Sequence, residues 1–132
     1  MGATAARFLL IGLGGFLGTG LRYGLNGLVS RHFGETFPLG TLVVNVSGSF
    51  ALGVVFVATG PDSPWLVSAT TRQVLMAGIL GGYTTFSSFS VQTLTLLREG
   101  SLAAALGNVA LSVGCGVLAA WLGEELARAI IL

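Results

Sequence analysis

From Gln73 to Leu97 the chain carries no charged residue, and the middle of that apolar run reads Gly-Ile-Leu-Gly-Gly-Tyr-Thr-Thr-Phe-Ser-Ser-Phe-Ser, from Gly78 to Ser90. A run of this length and polarity is long enough to cross a bilayer as a helix. Gly81 and Gly82 remove two side chains from its centre and weaken the helix there. The combination predicts a membrane helix broken near its middle, with backbone groups around Tyr83 and Thr84 left without intrahelical partners. At membrane depth such groups survive only where they are buried in protein, face water or hold an ion. Past the break, Phe86 and Phe89 are three residues apart and share a face once the helix resumes.

Three further spans follow from the same criterion, at about residues 8–29, 38–59 and 101–123, with the broken one at 73–97. Of the 132 residues, 53% are hydrophobic and 8% charged, and mean hydropathy is +0.89. That composition predicts an all-α integral membrane protein, a single four-helix domain over residues 1–132. There is no lysine and the net charge is +1, which gives no basic surface for nucleic acid. The first span, with Arg7 ahead of it, lacks a convincing cleavage site and reads as a retained helix. Within it Gly14 and Gly18, and again Gly20 and Gly24, are four apart, the spacing that lets neighbouring backbones approach.

Polar residues inside the spans are few and regularly spaced. Thr41, Asn45 and Ser49 fall on one face of the second span, and Asn108, Ser112 and Gly116 form one row on the fourth. An amide in hydrocarbon needs a partner, so Asn45 reads either as interhelical glue or as a pore-lining donor. Arg22 is the one formal charge well inside a span. It is open to two readings, an ion path or a side chain reaching to the interface, and its place toward the end of the span favours electrostatics at a mouth. His32 lies in a polar connector with no second ligand at metal-binding spacing, and Cys115, with no cation near it in sequence, reads as a small hydrophobe.

Four spans put both termini on one side. Arg7, Arg72 and Arg128 then fall on that side, and Arg31, Arg98 and Arg22 on the other. An even count gives no preferred orientation under the positive-inside rule. Chains inserted both ways can pair as an antiparallel dimer, the arrangement larger transporters reach through inverted repeats.

Three motifs in order carry a family resemblance: Gly14-Gly15-Phe16-Leu17-Gly18 running to Leu21-Arg22-Tyr23; Pro38-Leu39-Gly40-Thr41-Leu42-Val43-Val44-Asn45 with Gly48-Ser49-Phe50; and Gly81-Gly82-Tyr83-Thr84-Thr85-Phe86-Ser87-Ser88-Phe89-Ser90. Together they resemble the Fluc (CrcB) fluoride channels. The resemblance implies a dual-topology homodimer in the cell inner membrane or plasma membrane, with two pathways that let fluoride leave passively. It also implies a structural sodium ion at the dimer centre, held by backbone carbonyls of Gly81 and Thr84. The implied fluoride pathway comprises Asn45, Thr41, Phe86, Phe89, Asn108, Ser112 and Arg22. Two departures stand out: Gln92, where the family often has an acidic residue, and Asn108, where a tyrosine is common.

The residue chemistry is compatible with that implication. Fluoride is strongly hydrated, and a pore must replace its water with donors, which Asn45, Thr41, Thr85, Ser112 and Asn108 can supply. Phenylalanine edges carry positive quadrupole and can face an anion. A small dual-topology proton-coupled exporter is the rival reading. It needs a titratable group within the membrane, yet Glu35, Asp62, Glu99, Glu124 and Glu125 lie outside the spans or at their ends. A non-transporting packing subunit gives no reason for polar rows on three helices. No nucleophile, base and orienting group can be assembled, so an enzyme is not expected.

Overall fold

A computed structural model describes residues 2–132, and the described residues are helical apart from caps, connectors and one interruption. Four helical spans are long and apolar enough to cross a membrane. Helix α1 covers Ala3–Phe33 and α2 Leu39–Ala58. The third span is made of two helices. Helix α3 covers 69–83, beginning with Ala69–Gln73, continuing as a π-helical stretch over Val74–Leu80 and ending in the turn Gly81–Tyr83; α4 covers Phe86–Arg98. The last helix, α5, is Leu102–Ile131. Three of the spans extend past the boundaries that hydropathy suggests, because polar ends such as Ser30 to Phe33 and Glu124 to Arg128 stay helical. The Glu124–Arg128 ion pair at 3.0 Å supports the last turns, as an i,i+4 pair can.

Helix ends follow local chemistry. Ser68 caps α3 by accepting from the Thr71 amide at 3.1 Å, and Pro38 precedes α2. Between α4 and α5 the chain reverses through Gly100, whose φ of 77° requires a residue without a Cβ. The Ser101 amide reaches back to the Leu96 carbonyl at 2.9 Å, the bond of a Schellman cap. Arg72 joins the end of α2 to the start of α3, donating to the Thr59 carbonyl at 3.4 Å with its guanidinium 5.2 Å from the centre of the Phe56 ring.

The most extensive packing is between α2 and α5, and α1 lies along α3. Both contacts are backbone to backbone. A Cβ on Gly53 would run into the Ala120 carbonyl, and one on Gly123 into that of Phe50. On the other side, a Cβ on Gly18 would collide with the Ile79 carbonyl, and one on Gly82 would sit 2.6 Å from the Gly15 oxygen. Of the two glycine pairs in the first span, Gly14 and Gly18 serve this crossing; Gly20 and Gly24 have nothing within 4 Å of a built Cβ. Helix α4 leans on α5 and makes at most marginal contact with α1. A groove between α1 and α4 results, floored by α2.

Candidate functional site

The interruption in the third span lies at Thr84 and Thr85, both extended, with φ/ψ of −82/159° and −151/112°. Gly81 and Gly82, where the sequence suggests weakness, stay helical. A glycine costs a helix only about 1 kcal/mol, and here Gly82 is seated against the backbone of Gly15. The chain leaves the helix where a better partner exists. Asn45 accepts from the Thr85 amide through Oδ1 at 2.8 Å, and its Nδ2 donates to the Thr85 carbonyl at 3.0 Å. One side-chain amide thereby pairs with both backbone groups of one buried residue.

The bonds that result define what is left free. In a continuous helix the Thr85 amide would serve the Gly81 carbonyl and the Ser88 amide would serve Thr84. Instead the first goes to Asn45 and the second to the Thr85 hydroxyl at 3.2 Å. The carbonyls of Gly81 and Thr84 thus lose their helical donors, a fit to a cation held by main-chain oxygen. The Gly82 carbonyl differs, accepting from the Thr19 hydroxyl at 3.4 Å. Below the break α4 presents its N-terminus, whose first amides have no intrahelical acceptor.

Clefts open on both sides of Thr85. One, of about 270 Å³, lies between α1 and α4 and is lined by Thr19, Arg22, Asn26, Thr41, Ser88 and Gln92 among others. The other, of about 290 Å³, is lined by Asn45, Ser49, Phe86, Phe89 and Ser112, and also by Gly81 and Thr84. A third, of about 300 Å³, continues the first outward to Glu35 and Glu99, sharing Asn26 and Gln92 with it.

The expected pathway residues divide between these spaces. Asn45, Phe86, Phe89, Thr85 and Ser112 share one cleft, with the two rings 5.6 Å apart and tilted by 49°. Thr41 and Arg22 share the other, and Thr85 lines both. Thr41 and Asn45, one turn apart on α2, therefore open to different sides of the break. Arg22 has eleven residues of α1 beyond it, about 16 Å of helix, the last four of them the polar end Ser30 to Phe33. Asn108 lines none of these clefts. It is buried, donating to the Thr93 hydroxyl at 2.9 Å and accepting from Ser112 at 3.4 Å. Sequence reasoning missed Asn26 as a lining residue and noted Gln92 only as a departure; the Gln92 Oε1 is buried without a partner. The spacing of Arg22, Asn26 and Ser30, each four apart, was the available signal.

Residues 9–124 match the family model described as CrcB-like protein, Camphor Resistance (CrcB). Over 117 residues the chain is 55% identical to a fluoride-specific ion channel FluC of Opitutus terrae, covering 89% of each. It is 49% identical over 117 residues to a protein of that name from Rhodospirillum rubrum, covering 89% of this chain and 91% of the relative. A Methylocella silvestris protein of the same name is 46% identical over 123 residues, 93% of this chain and 94% of the relative.

Proposed function

The chain belongs to the CrcB-like family, and on that premise we propose that it is a fluoride-selective ion channel, a transporter rather than an enzyme, through which fluoride leaves the cell passively. The observation that carries the reading is the capture of Thr85 by Asn45. It fixes a helix N-terminus inside a span, and an N-terminus carries partial positive charge and unpaired N–H groups that suit an anion. The flanking clefts combine apolar walls with neutral donors, and Arg22 is their one cation. Such a lining replaces the water of a small anion without holding it as tightly as a row of charges would. Phe86 and Phe89 line one of these clefts, and a phenylalanine edge can face an anion. Ser112 stands beside them, and Asn108 holds Ser112 and Thr93 in place.

The chain works as a dual-topology antiparallel homodimer in the cell membrane. The even distribution of arginines supports insertion both ways, and exposed apolar side chains such as Phe8, Leu13 and Phe16 suit contact with lipid or a second copy. A sodium ion at the dimer centre fits the carbonyls of Gly81 and Thr84, which a second copy would double in number. When bound, the ion supplies a fixed positive charge and a shared anchor for the two breaks. A proton-coupled exporter is not favoured, since the clefts beside the break contain no carboxylate.

Protein reconstituted alone into liposomes should release fluoride down its gradient with no proton gradient present and should largely retain chloride. Release that requires a pH gradient would favour the exporter.

A further inference from the structure

The polar stripe on α1 belongs to no motif of the resemblance beyond Arg22. Thr19, Arg22, Asn26 and Ser30 fall on one face of that helix and line the groove facing α4. Asn26 is the member common to the inner cleft and the mouth cleft, which places it at the neck between them. The mouth has the carboxylates Glu35 and Glu99, and the inner cleft has the Arg22 guanidinium. An anion crossing the neck leaves a region that repels it for one that attracts it, and sheds water there.

The seat of Asn26 is shaped by a glycine. Its Oδ1 occupies the place that a Cβ on Gly40 would take. The acceptor end of the amide is thereby turned into the backbone of α2, leaving Nδ2 as its free end. The other two asparagines, Asn45 and Asn108, are committed to Thr85 and Thr93, and Gln92, the other amide at the neck, has its Oε1 buried without a partner. Among the described residues, none forms a hydrogen bond with the Asn26 side chain. A half-buried amide kept without a protein partner, with its acceptor turned away, is available to an anion or to the water that accompanies it.

We infer that Asn26 is a permeation residue: at the neck of the α1–α4 groove, its Nδ2 donates to the fluoride ion as it passes between mouth and inner cleft. This inference rests on the channel reading and adds a donor to it. Asn26→Leu keeps a similar volume and removes the donor, while Asn26→Ser keeps a hydroxyl in a smaller side chain. Gly40→Ala leaves Asn26 chemically intact and forces its amide from its seat.

The test is fluoride release from liposomes at low protein density, read two ways. The fraction of vesicles that empty counts folded channels, and the rate per emptying vesicle measures permeation. Asn26→Leu and Gly40→Ala should lower the rate by about tenfold, as expected for one lost charge-assisted bond, and Asn26→Ser by less than about threefold. An unchanged rate in Asn26→Leu with a smaller emptying fraction would assign Asn26 to packing and overturn the inference. If Asn26→Leu yields no emptying vesicles, an Asn26→Ser rate within threefold of wild type beside a Gly40→Ala rate about tenfold lower supports the donor role, and equal rates in those two variants overturn it. A silent wild-type protein would overturn the channel reading and this inference together; a wild-type rate in all three variants would overturn the inference alone.

Discussion

Removing the amide of Asn45 would strand two backbone groups at once, since the Thr85 N–H and C=O both depend on it and Thr85 is only 8% exposed. Each buried polar group left unpaired costs about 1–3 kcal/mol. Asn45 is therefore structural as well as a proposed pathway donor, and its substitution alters both stability and flux. The two phenylalanines can. Phe86 is 78% exposed, so replacing it by isoleucine removes little buried area within the chain, and the ring contact with Phe89 is worth only about 0.5–1.5 kcal/mol. Phe86→Ile and Phe89→Ile should leave thermal unfolding of the purified protein nearly unchanged while fluoride flux falls about tenfold or more, the effect of losing an aromatic edge beside the anion. Near-normal flux in both variants would reduce the rings to packing.

The third span shows which features of an element can be read from its residues. Glycines, hydroxyls and absent charges mark 73–97 as an interrupted membrane helix. The position of the interruption depends on Asn45, forty residues earlier, and no local pattern contains that pairing. The same holds for the face of α2: helical spacing groups Thr41 with Asn45, but Thr85 lies between them and divides their clefts. Asn26 escaped notice because its meaning comes from Gly40 across a helix contact. Glycine pairs likewise announce close packing without saying which pair is used. The α1–α3 crossing uses Gly18, where even one methyl group meets backbone, and overpacking of this kind costs about 1–3 kcal/mol or more. Gly24 has open space and gains helix propensity from a methyl group. Gly18→Ala should lower the unfolding temperature by several degrees and reduce the yield of folded protein, whereas Gly24→Ala should leave both unchanged or slightly raised. Equal behaviour of the two would contradict the crossing.

At the scale of the whole molecule, the four spans leave many large apolar side chains exposed. The antiparallel pair proposed above requires that chains insert in both orientations. In a Cys115→Ser background, Thr4→Cys should react with an impermeant thiol reagent from both sides of the membrane; reaction from one side only would exclude dual topology. The central claim is that fluoride moves through this protein as a free anion, driven by its own gradient. The most direct measurement is the reversal potential across a planar bilayer containing the purified protein, with a tenfold fluoride gradient, symmetrical chloride and equal pH. The potential should follow fluoride, reversing near 59 mV in magnitude, as a single charge over a tenfold ratio requires, roughly, and it should not move when a pH gradient is imposed. Absence of current, or a reversal potential that tracks protons or chloride, would contradict the account.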